Sequence, residues 1–137
     1  MSEENVEIVR GVMDAWNGRD VEGMLAFADP EVEYVNAPTA VEPGTRRGHD
    51  GLAAVARAQW ESLSGGRQEI DRLHDRGDEI ISAGRVSRRM PDSETRIDTP
   101  ILLSWTIRNG KVIRIEMLGV GPEFQQALEA AGLAGGP

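Results

Sequence analysis

The stretch RIDTPILLSWTIRNGKVIRIEML, from Arg96 to Leu118, decides the fold. Its apolar side chains return at every second position, as they do along a β-strand with one buried face. The dipeptide Asn109-Gly110 follows, and it tolerates the positive φ values of a two-residue type I′ turn better than most dipeptides. A second apolar run begins at Val112. We therefore predict a long antiparallel hairpin. On its first strand, one face carries the side chains of Ile97, Thr99, Ile101, Leu103, Trp105 and Ile107.

The apolar face of such a hairpin needs cover from the rest of the chain, because an exposed one would aggregate. Helical spacing of apolar residues predicts three helices upstream, and Ser2 and Asp20 can cap the first two. The predicted order is helix 2–17, helix 21–28, strand 32–36, helix 50–63, strands 68–75 and 79–90, the hairpin, and helix 123–131. This order is typical of an α+β domain with a mostly antiparallel sheet.

The composition limits the class of protein. The 137 residues suffice for one domain, which we place at 1–133, with 134–137 as a frayed tail. A net charge of −8 disfavours binding to nucleic acid or to an anionic membrane. There is no cysteine for a disulfide, and no apolar run approaches the roughly 20 residues of a membrane span. The acidic start, Met1 to Glu4, is unlike a signal peptide, so we expect a cytoplasmic protein.

Several short segments occur in an order that resembles one family. They are Met13-Asp14-Ala15-Trp16-Asn17 with Asp20, Asp29-Pro30 with Val32, Arg47-Gly48, Asn109-Gly110-Lys111-Val112, and the ending 127–133. Together they are similar to SnoaL-like proteins of the nuclear-transport-factor-two-like superfamily. The resemblance implies a cone-shaped α+β barrel, in which a bent, mostly antiparallel sheet packs on three helices, with a further C-terminal helix. It also implies a ligand cavity inside the cone, no cofactor, and a homodimer formed through the polar face of the sheet at Ser104, Thr106 and Arg108.

Members of this superfamily use the cone for unrelated functions. They include polyketide cyclases, ketosteroid isomerase, limonene epoxide hydrolase and non-catalytic binding modules. The segment Tyr34-Val35-Asn36-Ala37-Pro38 is similar to the strand with which limonene epoxide hydrolase positions its attacking water. Tyr34 and Asn36 point to the same side of a strand, so they can hold one water or ligand oxygen. The alternative is structural: the tyrosine packs on the helices, and the asparagine caps the loop from Ala37 to Gly48.

Arg85 is the most informative charged candidate. The epoxide hydrolase needs Arg-x-Asp, whereas this chain has Arg85-Val86-Ser87, and Met117 stands where a second aspartate is required. Without the two carboxylates we do not expect epoxide hydrolysis in its familiar form. If Arg85 faces the cone, a ligand anion or an internal acid must pair with it. The alternative is an ion pair with a surface acid.

The acid and the base of ketosteroid isomerase are also missing. The residues that align with its tyrosine and its two carboxyl groups are Val12, Val35 and Leu102 or Leu103. Strand alternation turns Glu116 and Asp98 away from the cone. If either of them, or Glu33, faced inward, the cavity would hold a titratable group and an enzyme would be favoured.

We therefore predict a pocket for a small apolar or amphipathic molecule with one polar oxygen. The catalytic candidates are Tyr34, Asn36 and Arg85, and the ligand-binding candidates are Trp16, Trp60, Ser87, Trp105 and Met117. His49 and His74 lie on separate elements without an inward carboxylate, so no metal site is predicted. One hypothesis is a cofactor-independent cyclase, isomerase or hydrolase in which Arg85 stabilises negative charge. The other is a non-catalytic ligand-binding or dimerisation module.

Overall fold

The predicted hairpin lies at the centre of a six-stranded sheet. A computed structural model describes residues 2–36, 44–62, 66–90 and 93–133. At the tip of the hairpin, Asn109 and Gly110 have φ values of 53° and 76°, as the predicted type I′ turn requires. The elements are α1 (Ser2–Asn17), α2 (Val21–Ala26), β1 (Ala28–Asn36), β2 (Gly44–Arg47), α3 (Gly48–Ser62), β3 (Arg67–Arg76), β4 (Glu79–Arg89), β5 (Arg96–Arg108), β6 (Lys111–Val120) and α4 (Phe124–Ala130).

The strand order across the sheet is β2-β1-β6-β5-β4-β3. All neighbouring strands are antiparallel except β1 and β6, which run parallel. A parallel pair needs a long connection, and here the connection contains α3 and four further strands. The arrangement confirms the α+β class and the mostly antiparallel, curled sheet.

The inner face of the sheet is the face that packs against α1, α2 and α3, and it carries the main core. From Ile101 to Ile107 the odd residues of β5 all belong to this core, as the alternation predicted. Facing them are apolar side chains from the three helices: Val9, Val12, Met13, Trp16, Met24, Leu52, Val55 and Ala56. This packing makes the cone that the sequence predicted.

The outer face of the sheet is the opposite one, and α4 covers part of it. Leu102 is completely buried there, in a second apolar cluster to which Phe124 and Leu128 of α4 contribute. Ser104 is only 6% exposed, and its hydroxyl donates a 2.7 Å hydrogen bond to Glu79. The prediction of an exposed polar face is therefore wrong at Ser104, whose side chain is buried and bonded to Glu79.

The clearest differences from the sequence prediction lie in β1 and β2. β1 begins at Ala28, so Asp29 and Pro30 belong to the strand and do not lie between the helix and the strand. Residues 44–47, expected in a loop, form a short strand because their backbone pairs antiparallel with β1. The predictions for the rest of that loop, residues 37–43, and for the tail at 134–137 lie outside the described residues.

A β-bulge changes the register between β3 and β4. The pairing shifts between Ile70 and Arg72, so that Asp71 is the extra residue. Opposite the bulge, a Cβ added to Gly84 would lie 2.0 Å from the carbonyl oxygen of Glu69. Only glycine permits this approach of the two backbones.

Among the described helices, none is long and apolar enough to cross a membrane.

Candidate functional site

The cone contains a small cavity of about 30 Å³ between the inner face of the sheet and helices α1 and α3. The residues that line it are Val12, Met13, Trp16, Met24, Tyr34, Leu52, Val55, Ala56, Gln59, Gln68, Leu103, Trp105 and Ile115. A water molecule needs about 10–15 Å³ on this measure, so the space suits two waters or a molecule of two or three heavy atoms. It is far smaller than the roughly 300–1,000 Å³ of ordinary ligand pockets.

A chain of hydrogen bonds crosses one wall of the cavity. The indole N–H of Trp16 donates to Oε1 of Gln59 at 2.9 Å, and Nε2 of Gln59 donates to the hydroxyl oxygen of Tyr34 at 3.2 Å. An indole can only donate, which fixes the orientation of the Gln59 amide. The oxygen of Tyr34 must therefore act as the acceptor.

Tyr34 remains a neutral phenol over the physiological range of pH. Burial, which disfavours the charged phenolate, raises the pKa of Tyr34 to about 12, and the hydrogen bond from Gln59 offsets a part of this rise. The side chain is 6% exposed. Tyr34 can donate a hydrogen bond in the cavity, but it cannot serve as a base near neutral pH.

Gln68 also lines the cavity, and one of its polar atoms has no partner. Its backbone N–H and C=O pair with the side chain of Asn17 at 2.8 and 2.9 Å. Its side-chain Oε1, by contrast, is buried and accepts no hydrogen bond from any described residue. Buried polar atoms in folded proteins are nearly always paired, so Gln68 Oε1 is an exception within the described part of the chain.

Arg19 packs over two tryptophans beside the cavity. Its guanidinium lies 5.2 Å from the ring of Trp16 and 5.5 Å from the ring of Trp60, a distance at which a cation attracts an aromatic face. The carbonyl of Gly66 accepts a 2.8 Å hydrogen bond from it. These contacts hold the end of α1 against the end of α3. Within the described part of the chain, Trp60 Nε1 is buried and unpaired as well.

Residues 9–115 match the family model described as SnoaL-like domain. The chain belongs to the SnoaL-like family. Among curated proteins, none matches its sequence.

Solved structures support the same fold. TerC, crystallised with polyporic acid, is 26% identical, with 83% of this chain and 89% of TerC covered and a TM-score of 0.71. An NTF2-like protein of unknown function from Burkholderia pseudomallei is 22% identical, with 97% and 98% covered and a TM-score of 0.73. A putative polyketide cyclase from Sinorhizobium meliloti is 20% identical, with 81% and 93% covered and a TM-score of 0.67. The cone of this SnoaL-like domain is thus an NTF2-like fold.

Of the residues predicted to form the site, Trp16, Tyr34 and Trp105 line the cavity of this SnoaL-like domain. The indole of Trp105 donates to the hydroxyl of Ser82 at 2.9 Å and is therefore satisfied. Trp60 packs on Trp16, with ring centroids 6.1 Å apart, but does not line the space. Two further candidates are also outside the lining: Met117 packs against the inner core, and Asn36 is the last residue of β1.

Arg85 and Ser87 are not in the cone. Alternation along β4 turns Val86 into the inner core, so its two neighbours point to the outer face. Arg85 bonds to Asp71 and Glu69 there, with Asp98 at 3.8 Å, and Ser87 accepts a 2.9 Å hydrogen bond from Arg96. The hydrogen bond to Asp71 and the charges of the acids raise the pKa of Arg85 above its ordinary value. This corrects the prediction that both residues line the pocket.

The acids around Arg85 form one end of a second space, which we call the outer groove. It has a volume of about 400 Å³ and lies between the sheet and α4. The lining residues are Asp71, Arg72, His74, Ala83, Gly84, Arg85, Asp98, Pro100, Phe124, Leu128 and Leu133.

Among the described residues, those that line the cone include no carboxylate, histidine, lysine or arginine. Glu33 pairs with Arg47, and Glu116 lies 3.6 Å from Arg114, both outside that lining. Among the residues that the structure describes, no group of three or more histidine, aspartate or glutamate side chains could hold a metal ion.

Of the two glutamines in the cavity, only Gln59 had a signal in the sequence. Gln59 falls on the apolar stripe of α3, where a polar residue in an inward position could have been recognised as functional. Gln68 had no such signal, because β3 alternates poorly and carries the bulge.

Proposed function

We propose that this domain binds a small, mostly apolar molecule with one polar oxygen in the cone and that it does so without acid–base catalysis. One observation carries the proposal: the cavity combines apolar walls with the neutral polar groups of Tyr34, Gln59 and Gln68. A general acid or base works best when its pKa lies near the working pH. A phenol with a pKa of about 12 and two amides do not meet that condition.

The alternative function, that of a cofactor-independent cyclase, isomerase or hydrolase, has less support. It required Arg85 to stabilise negative charge inside the cone, and Arg85 is paired with acids on the other face. The structural similarity to a putative polyketide cyclase supports the fold at 20% identity but does not transfer its chemistry. The similarity to TerC, which was crystallised with polyporic acid, supports small-molecule binding by the same architecture.

The size of the cavity determines which molecules fit without rearrangement. Only two or three heavy atoms fit into about 30 Å³, so a larger ligand must displace side chains. Met13 and Met24 line the space, and methionine adapts its shape at low cost because its side chain is unbranched. We therefore expect larger apolar ligands to enter by moving these two methionines.

A ligand screen by thermal shift tests the proposal, because a ligand that binds only the folded state raises Tm. We expect hits to stabilise the wild type and Arg85→Ala equally, and to stabilise Tyr34→Phe less. All three tryptophans of the chain lie in or beside the cone, so their fluorescence should change with the same ligands. A response that disappears in Arg85→Ala but persists in Tyr34→Phe would assign binding to the outer groove and contradict the proposal.

The homodimer and the cytoplasmic location remain proposals. With Ser104 covered, a partner would have to use the remaining outer surface near Thr106 and Arg108. Sedimentation equilibrium of the wild type and of Arg108→Glu would test the dimer. A monomer at all concentrations of the wild type would contradict it.

A further inference from the structure

The hydrogen-bond chain in the cone leaves one donor without an acceptor. Because Trp16 can only donate, Gln59 must present its oxygen to Trp16 and its amide nitrogen to Tyr34. Tyr34 then accepts from Gln59, and its own hydroxyl hydrogen is still free to donate. In the hydrogen bonds of the described residues, Tyr34 takes part only as an acceptor.

The same cavity leaves one acceptor without a donor. Gln68 is 8% exposed, and its Oε1 is fully buried and unpaired among the described residues. Leaving such an atom without a hydrogen bond costs folding free energy, so the site favours a bound group that donates a hydrogen bond to it. Tyr34 does not supply it, since no hydrogen bond joins the two side chains.

Resting on the proposed function of the cone, we infer that its ligand is recognised through a neutral hydroxyl group, which accepts a hydrogen bond from Tyr34 and donates one to Gln68 Oε1. A hydroxyl offers both roles on a single atom. One atom that both donates and accepts suits this cavity because its volume is only about 30 Å³. The carbon attached to the hydroxyl would contact the apolar walls, for example Leu103 and Ile115.

Other polar groups fit this pair less well. A carbonyl or a nitrile can only accept, so it would satisfy Tyr34 and leave Gln68 unpaired. An ammonium group or a carboxylate would be buried without an opposite charge, because the lining of the cavity has no ionisable side chain apart from Tyr34. The site therefore selects alcohols, enols or phenols over ketones, amines and acids.

Met13 and Gln68 also line a polar cleft of about 280 Å³ between α1 and β3. The cleft contains Arg10, Asp14 and Arg67 and is open to solvent. Gln68 thus stands between the cone and an open surface.

The test compares three probes of equal heavy-atom number by NMR on the ¹⁵N-labelled protein: ethanol, acetonitrile and ethylammonium. Saturable shifts of the Trp16 and Trp105 indole N–H signals report occupancy, because both rings line the cavity. We expect ethanol to bind about fivefold to tenfold more tightly than acetonitrile, the effect of one neutral hydrogen bond, and ethylammonium to give no saturable shift.

Two variants locate the contacts. Tyr34→Phe removes the donor and Gln68→Met removes the acceptor, and each should weaken ethanol binding about fivefold to tenfold. Gln68→Met should also reduce the preference for ethanol over acetonitrile, because only ethanol can donate to Oε1. Tyr34→Phe should leave that preference unchanged, because both probes lose the same donor. The matched control is Gln126→Met, the same substitution at an exposed position of α4, which should bind ethanol as the wild type does. Far-ultraviolet circular dichroism confirms that all three variants fold.

The possible results separate this inference from the proposed function. Equal binding of ethanol and acetonitrile, or ethanol binding unchanged in both cone variants, would overturn the hydroxyl assignment while leaving the cone as a binding site. If no probe and no hit from the ligand screen shifts the Trp16 and Trp105 signals, both the proposed function and this inference are wrong.

Discussion

The cone cavity and the outer groove lie on opposite faces of one sheet, and they differ in the pairing of their polar groups. The cavity has a volume of about 30 Å³ and contains an unpaired acceptor, Gln68 Oε1. The groove has about 400 Å³, and its arginine, Arg85, is surrounded by three acids. The larger space is thus the one whose central cation is already satisfied. Volume alone does not identify a recognition site; unpaired buried groups are more informative.

The largest expected effect is the loss of stability when a buried leucine is truncated on either face of the sheet. Leu102 and Leu103 are adjacent in β5, point to opposite faces and are 0% and 3% exposed. We expect Leu102→Ala and Leu103→Ala each to lower the free energy of unfolding by about 2–5 kcal/mol, measured by urea denaturation. Arg108→Ala, at the exposed end of the same strand, is the control. A loss below about 1 kcal/mol for Leu102→Ala would mean that α4 does not cover the outer face.

The second prediction concerns the bulge beside the outer groove. Gly84→Ala should lower stability by about 3 kcal/mol, because the added methyl would meet the backbone of Glu69 at 2.0 Å. Gly18→Ala is the matched control, since its methyl would come no closer than 3.4 Å to another atom. The indole signals of Trp16 and Trp105 should stay unchanged if the two faces are independent. A shift of those signals in Gly84→Ala would show that the bulge also shapes the cone.

The third prediction concerns the ionisation of Tyr34, the only tyrosine of the chain. Its pKa is about 12 in the folded protein against 10.0 when exposed, so the unfolded chain loses this proton first as pH rises. The associated stability is complete below pH 10 and is lost towards pH 12, by about 2–3 kcal/mol. Urea denaturation at both ends of this range should show the loss in the wild type and a smaller one in Tyr34→Phe.

Phenolate absorbance of the folded protein reports Tyr34 alone and supplies an independent check. A titration midpoint near pH 10 would show that the phenol is not buried in the cone.

The smallest effect is expected for Arg85→Met. The substitution leaves Asp71, Glu69 and Asp98 together without their cation, so we expect a small decrease in Tm that shrinks with added salt. The effect on Tm is small because Arg85 and its acids are partly exposed. Ligand binding in the cone should not change. A large and salt-independent decrease would mean that Arg85 has a structural role that the outer groove does not explain.

Much of the fold could be predicted from local patterns. The period of two from Ile101 to Ile107 and the turn at Asn109-Gly110 follow from neighbouring residues, and the structure confirms both. β2 could not be predicted in this way, because its four residues are all exposed and become a strand only by pairing with β1. The burial of Leu102 could not be predicted in this way either, because its cover, α4, is distant in sequence.

The candidate site was harder to predict than the fold. Trp16 and Trp105 were proposed from helix and strand patterns and Tyr34 from a resemblance to a known strand motif, and all three line the cavity. Arg85 was placed by matching a motif, although its neighbour Val86 is the apolar residue that turns inward. Gln68 was missed because the bulge at Asp71 interrupts the alternation that would have shown its direction.

The sequence by itself determined the hairpin and the order of helices and strands, because alternation, capping and turn preferences act between residues that are close in the chain. The cone was implied by the resemblance to SnoaL-like proteins. Only the tertiary structure decided that the cone is almost filled, that Arg85 lies outside it, and that Tyr34 and Gln68 share a cavity in which a donor and an acceptor find no partner among the described residues. These facts depend on how the volumes and polar atoms of distant segments fit together, and no local pattern encodes that fit.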